Sequence, residues 1–261
     1  MVRGGEPPVV LSRRQLGTAR GRPAAGARPA PVARPVRPPF GELEVTEDVP
    51  AAFSAHVRRA FSGRLGDRFT LVLSGGPTAA RCYERLASDS GALEWPLVDV
   101  FMGDERCVGP DDPDANQRMV RHTLLEQVGP AGSFHPMSCA DGPEAYERLL
   151  RSRPPPDLVH LGLGPDGHTA SLFSGSPALE EPTARLVAES EDPAGRNPHR
   201  RMTLTLAGID RARLAVFTVV SAEKHDAFAR LCAGEDIPAA RVRPAQVVWL
   251  VDPGAAGPAE G

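Results

Sequence analysis

Aromatic residues make up only 5% of this 261-residue chain, and lysine occurs once, at Lys224, among 30 basic residues. So few rings leave little surface on which unpaired bases could stack, which argues against single-stranded nucleic-acid binding. No stretch approaches the roughly 18 consecutive apolar residues of a membrane-spanning helix. The four cysteines, Cys82, Cys107, Cys139 and Cys232, form no C-x-x-C pair. In a chain without an export signal they are expected to be four reduced thiols. The seven histidines form no H-E-x-x-H or comparable cluster, so no metal site is expected.

What is present is uneven. Residues 1–39 hold eight arginines and one acid, Glu6, which leaves 22 basic and 32 acidic residues, a net charge of −10, in the rest of the chain. A body that acidic is a poor nucleic-acid binder, and an anionic ligand would need a local cluster of cations and backbone N–H groups. The single lysine stands against 29 arginines. Where arginine supplies every generic positive charge, a remaining ammonium is a candidate for a role that a planar guanidinium cannot fill. Chance survival of one surface lysine is the other reading.

Residues 1–39 are rich in Pro, Gly, Ala and Arg and lack hydrophobic periodicity, so they are expected to form a disordered extension. They also lack the apolar run of a secretory signal, and their prolines would spoil an amphipathic transit helix. From residue 40 the texture becomes alternating strand and helix, through 254, with residues 255–261 expected as a flexible tail. Strands are read at 42–46, 69–73, 97–102, 158–163, 202–206, 214–220 and 247–251. Helices are read at 49–64, 78–88, 117–128, 145–151 and 223–231. Near-continuous apolar strands separated by helices imply an α/β, Rossmann-like fold, a mostly parallel sheet with helices on both faces.

In such sheets ligands bind beyond the carboxyl ends of the strands. Three polar, glycine-rich segments follow strands here. Ser74-Gly75-Gly76-Pro77-Thr78 could cradle a phosphate at a helix N-terminus, or be an ordinary tight turn. It lacks the G-x-x-x-x-G-K-[ST] pattern of a nucleotide P-loop. Gly103-Asp104-Glu105-Arg106, continuing to Asn116, could place Arg106 on phosphate and Asp104 or Glu105 on sugar hydroxyls, or be a solvated acidic loop. Leu161–Thr169 formally contains G-x-G-x-x-G. The dinucleotide reading fails on context, because Ser171–Pro177 cannot continue a long helix and Pro165 removes an N–H donor. His168, on that turn and two residues from Asp166, could take a proton from water, or be structural.

Gly162–Phe173 (GLGPDGHTASLF), with SGGPT, DER, RMTLT (201–205), AEKHDA around Lys224 and the closing PAQVVWLVD, resembles 6-phosphogluconolactonase. That family shares a superfamily with glucosamine-6-phosphate deaminase. The resemblance spans about residues 42–253. It implies hydrolysis of 6-phospho-D-glucono-1,5-lactone to 6-phospho-D-gluconate in the oxidative pentose phosphate pathway, with no cofactor and no metal. His168 would be the general base and Asp166 its orienting partner. Gly75, Gly76, Thr78, Asp104, Arg106, Asn116, Arg201 and Lys224 would contact the substrate. Deaminases of the group have a catalytic Glu five residues after the motif His, and DEY for DER; here those positions hold Phe173 and Arg106. The alternatives are a deaminase-type isomerase and a non-catalytic phosphosugar-binding protein. The expected partner is a small phosphosugar lactone, with no nucleic acid and no membrane, in a cytoplasmic monomer or weak homo-oligomer. Pro77, Ala115 and Ser221 depart from the Ser, Ser and Gly usual in the family, and are expected to alter the phosphate contacts.

Overall fold

The computed structural model describes residues 37–257 except 90, 92 and 183. Residues 1–36 of the expected extension lie outside the described residues, as do 258–261. The main sheet has the order β1-β10-β9-β6-β2-β3-β5, every neighbouring pair parallel. Its strands are β1 (Glu42–Val45), β2 (Phe69–Leu73), β3 (Val98–Met102), β5 (Ser133–His135), β6 (Leu158–Gly162), β9 (Leu214–Val219) and β10 (Gln246–Val251). Every residue of β2 and β3 is buried, which requires cover on both faces and explains why both strands are largely apolar; the one charged member, Asp99, is paired with the Arg68 guanidinium at 2.6 Å. The α/β, Rossmann-like reading holds.

The helices are α1 (Val49–Ser62), α2 (Pro77–Ser88), α3 (Asn116–Val120), α4 (Glu126–Val128), α5 (Gly142–Arg151), α6 (Leu206–Asp210), α7 (His225–Cys232) and α8 (Pro253–Ala256). A single π turn, Arg121–Leu125, joins α3 to α4. In α1 the buried residues Val49, Phe53, Val57 and Phe61 recur every four positions and form one stripe against the sheet. Asp48 starts that helix by accepting the Ala51 N–H at 3.0 Å. In the core, Trp249 of β10 stacks on Phe217 of β9 with centroids 3.9 Å apart.

Three features differ from the sequence expectation. A second, antiparallel sheet β4-β8-β7 joins β4 (Asp104–Arg106), β7 (Val187–Ser190) and β8 (Arg201–Leu204). Cys107 and Cys139, read as free thiols, form a disulfide, with only Cys82 and Cys232 unpaired. The pairing is a tertiary effect: Cys107 follows β4 and Cys139 follows β5, and the fold brings the two loops side by side. Residues 255 and 256, expected in a flexible tail, instead belong to α8. Ala255 is fully buried, and the Asp252 carboxylate caps α8 by accepting the Ala255 N–H at 2.7 Å.

The strand order has a functional consequence. From β2 the chain moves one way to β3 and β5, while β6, β9 and β10 lie on the other side. The connections leaving β2 and β6 therefore diverge, and a crevice opens at the carboxyl ends of these two adjacent strands.

Candidate active site

That crevice is a cavity of about 420 Å³. The Ser74–Thr78 loop follows β2 and the His168 loop follows β6, so both border the switch point. The second sheet closes a third side with Asp104, Arg106 and Arg201, and Ser221, Glu223 and Lys224 follow β9.

The His168 loop is held by local constraints. Gly164 donates its N–H to His168 O at 2.8 Å, and a Cβ on Gly164 would lie 2.1 Å from His168 Nδ1. Gly167 has a φ of +93°, and a side chain there would also meet Ile237 at 2.8 Å. Glycine is therefore required at both positions. His168 Nδ1 donates to Asp166 Oδ1 at 2.5 Å, while Arg196 donates to the other carboxylate oxygen at 3.2 Å. Burial tends to raise the Asp166 carboxyl, but the hydrogen bond and charge of His168, with Arg196, hold it well below the usual carboxylate range. A charged Asp166 on Nδ1–H leaves the lone pair on Nε2, and His168 lines the cavity. The Phe173 ring packs 4.8 Å from the imidazole.

The Ser74–Thr78 loop leads into α2. Gly76 has a φ of +102°, and a Cβ on Gly75 would lie 1.8 Å from Asn116 Oδ1. Pro77 opens the helix at its first turn, where a missing N–H removes no intrahelical bond. The N–H groups that start this helix point out of its end and have no intrahelical acceptor.

Cations surround the rest. Arg201 is buried, at 6% exposure, yet its contacts are long: 3.3 Å to Ser171 Oγ, 3.5 Å to Asn197 Oδ1 and 3.8 Å to the Asp104 carboxylate. Burial lowers its pKa, with Asp104 opposing. Arg106 Nη1 donates to Asp114 O at 2.7 Å. Arg106 Nε, Asn116 Oδ1 and Arg201 Nε are buried atoms without a hydrogen-bond partner among the described residues. Under-used donors and acceptors gathered around one cavity suit a polar, anionic ligand. Lys224 lies half-buried on the turn before α7, and burial lowers the pKa of its ammonium against the pull of Glu223 and Asp166.

A family model described as glucosamine-6-phosphate isomerases/6-phosphogluconolactonase matches residues 42–250. The chain belongs to this family. It is 40% identical over 202 residues to a 6-phosphogluconolactonase of Synechocystis, covering 70% of this chain and 81% of that one. A 6-phosphogluconolactonase of Mycobacterium tuberculosis is 37% identical over 207 residues, covering 71% and 83%. The crystal structure of 6-phosphogluconolactonase from Thermotoga maritima superposes with a TM-score of 0.70 at 27% identity, covering 81% of this chain and 99% of that one.

In this glucosamine-6-phosphate isomerase/6-phosphogluconolactonase fold, Gly75, Gly76, Thr78, Asp104, Arg106, Asn116, His168, Arg201 and Lys224 all line one cavity. Asp166 is not on its wall but behind His168. Glu105, read as a possible sugar ligand, is turned away: its carboxylate accepts the N–H groups of Arg106, Asn116 and Gln117 at 2.7–2.8 Å. It thereby caps α3, whose N-cap residue Ala115 makes no side-chain bond. Burial raises the Glu105 pKa to about 7, with the three N–H bonds opposing. Asp104 lines the cavity, but its carboxylate is committed to Ser171 Oγ at 2.6 Å and Asn116 Nδ2 at 3.3 Å. Arg81 and Asn197 also line the cavity and were missed. For Arg81 a signal existed, since it lies one helical turn from Thr78 on α2. Asn197 sits in a loop without periodicity, and no sequence signal marks it. Among the described residues, no group of three His, Cys, Asp or Glu side chains could hold a metal ion, and no helix is long and apolar enough to cross a membrane.

Proposed function

We propose that this protein hydrolyses 6-phospho-D-glucono-1,5-lactone to 6-phospho-D-gluconate in the oxidative pentose phosphate pathway, with His168 as general base. The observation that carries this reading is the 2.5 Å bond from His168 Nδ1 to the Asp166 carboxylate, with the imidazole on a cavity rich in cations. Neutral His168 takes a proton from water through Nε2 as the water oxygen bonds to the lactone carbonyl carbon. The negative charge that builds on the carbonyl oxygen is met by the nearby guanidinium groups, of which Arg201 is the most buried and makes only long contacts. As the ring C–O bond breaks, His168-H⁺ returns its proton to the departing ring oxygen, and the acid is released. Asp166 keeps the proton on Nδ1 and stabilises the imidazolium.

The phosphate is assigned to Gly75, Gly76, Thr78, Arg106 and Lys224, with Asn116 and the Asp104 backbone shaping that wall. Binding the far end of the sugar fixes the carbonyl against the base. No cofactor enters this scheme. The enzyme is assigned to the cytoplasm, and to a monomer or weak homo-oligomer; the second assignment is supported by Val45 and Leu65 being the exposed large apolar side chains among the described residues. A deaminase reaction is disfavoured, because the position five residues after His168 is the buried Phe173, which offers no acid or base.

The test is acid release from fresh lactone in a pH-stat, with His168→Ala as reference because such lactones also open spontaneously. His168→Ala is expected to fall to the spontaneous rate while keeping its melting temperature. Equal rates in the two proteins would refute the assignment.

A further inference from the structure

Beneath the Ser74–Thr78 loop, where Ser74, His160 and Thr218 border the floor of the cavity, lies a set of buried hydrogen bonds that the chemistry above does not use. Tyr83 and His160 are 0% and 1% exposed, Thr218 and Ser74 4% and 5%. The Tyr83 hydroxyl accepts the Ser74 N–H at 2.9 Å and lies 3.0 Å from Ser74 O and 2.8 Å from His160 Nδ1. His160 Nε2 is 2.9 Å from Thr218 Oγ1, and Ser74 Oγ donates to His160 O at 2.6 Å. The His160 ring packs on Phe53 with centroids 4.3 Å apart.

Counting protons gives one arrangement that satisfies these groups. A phenol has one proton and two lone pairs. If Tyr83 donates to Ser74 O, it accepts from both the Ser74 N–H and His160 Nδ1–H, and His160 Nε2 then accepts from Thr218. If Tyr83 donated to His160 instead, Ser74 O would lose this donor. Burial keeps the imidazole uncharged, lowering its pKa to about 3. Both peptide groups of Ser74 are thereby held by one phenol, and the phenol is held by one imidazole.

Ser74 is where such a clamp matters. It is the last residue before Gly75 and Gly76, which have no side chains to restrict them, and Pro77 fixes only the far side of the pair. Gly75 lies against Asn116 and Gly76 O accepts the Ala80 N–H at 3.0 Å, which holds the far end of the loop, while the aim of its N–H groups from the near end depends on the clamp at Ser74. We propose that Tyr83 and His160 are positioning residues that aim the glycine N–H groups of this loop at the substrate's phosphate without touching the reacting atoms. This inference rests on the lactonase reading above. It predicts an effect on substrate binding, with the proton chemistry at His168 left intact.

The experiment measures kcat and KM for the lactone, and inhibition by inorganic phosphate, in wild type, Tyr83→Phe, His160→Leu, His160→Asn and Thr218→Val, each assayed well below its melting temperature. Tyr83→Phe and His160→Leu are expected to raise KM and the phosphate inhibition constant about tenfold, the size of one buried hydrogen bond, with kcat within about twofold of wild type. His160→Asn, whose amide can still reach Tyr83, is expected to restore most of the affinity. The double variant Tyr83→Phe/His160→Leu is expected to be no worse than either single change, because both break one path. Thr218→Val removes the hydroxyl that faces His160 Nε2 on the cavity floor at similar volume, and is expected to raise KM and the phosphate inhibition constant together, about threefold. It carries the test if the other variants do not fold. Lowered melting temperatures with unchanged KM in the folded variants would overturn the inference and leave a purely structural network. If the wild type itself fails to open the lactone, the proposed function falls instead, and phosphate binding compared across the same variants still decides the clamp.

Discussion

Breaking the Cys107–Cys139 bond is expected to destabilise the protein substantially while leaving its chemistry intact. The bridge joins positions 32 residues apart. Closing a loop of that length in the unfolded chain removes conformational entropy equivalent to roughly 3.7 kcal/mol at 25 °C. For a fold of this size each kcal/mol corresponds to about 2–4 °C, so reduction should lower the melting temperature by roughly 7–15 °C. The remaining thiols do not confuse the measurement, because burial pushes the Cys82 and Cys232 pKa values up to about 12 and about 11, and such thiols react poorly. Protein purified without reductant would be unfolded in urea, with the buried Trp95 and Trp249 as reporters, and compared with reduced protein and with Cys107→Ser/Cys139→Ser. Thiol titration of the denatured, unreduced chain should find two free groups. Arg106 precedes Cys107, whose N–H donates to Arg200 O at 2.8 Å, a backbone bond that does not involve the sulfur. The expected kinetic change is therefore a rise in KM of no more than about threefold, one part-lost contact, with kcat preserved. Four titratable thiols, or superimposed unfolding curves, would refute the reasoning. The result also bears on compartment, since a reducing cytoplasm disfavours structural disulfides.

Three further outcomes are expected. Asp166→Asn should slow lactone hydrolysis, because the carboxylate that holds the proton on Nδ1 and stabilises imidazolium is gone. Asp166 itself is depressed below the usual range, so the stability it contributes is complete above about pH 4 and is lost as pH falls through its lowered pKa; urea titrations of wild type and variant between pH 2 and 6, on the order of the carboxylate range, should converge at the acid end. Ser221 has a φ of +89°, and Ser221→Gly should stabilise the fold by roughly 0.5–1 kcal/mol, net of the weak Ser221 Oγ cap on Glu223, read as a melting temperature higher by about 1–3 °C. Lys224→Arg should raise KM at least about fivefold, because a half-buried ammonium pocket does not accept a planar fork; a KM equal to wild type would return Lys224 to chance survival.

The strands Phe69–Leu73, Val98–Met102 and Leu214–Val219 were legible because a strand buried on both faces is largely apolar, each here with a single polar member, Thr70, Asp99 or Thr218, and no partner need be known to say so. The three-residue strand Asp104–Arg106 was not, since its strand character arises from pairing with Arg201–Thr203, almost a hundred positions away. A separation of 32 residues likewise hid the disulfide. At the site, glycine-rich segments after strands marked His168, Gly75 and Gly76 as candidates through local chemistry alone. Which of Asp104 and Glu105 meets the cavity was beyond that reasoning, because adjacent strand residues face opposite ways and only the packed sheet assigns the faces. His160 looked like one polar residue in an apolar strand. Its place beneath Ser74 depends on β6 lying beside β2. Local composition thus determined the layers, the loops that could hold an anion and the base that could act there. The pairing of distant segments decided which side chains converge, because convergence belongs to the folded chain and has no counterpart in any local stretch of it.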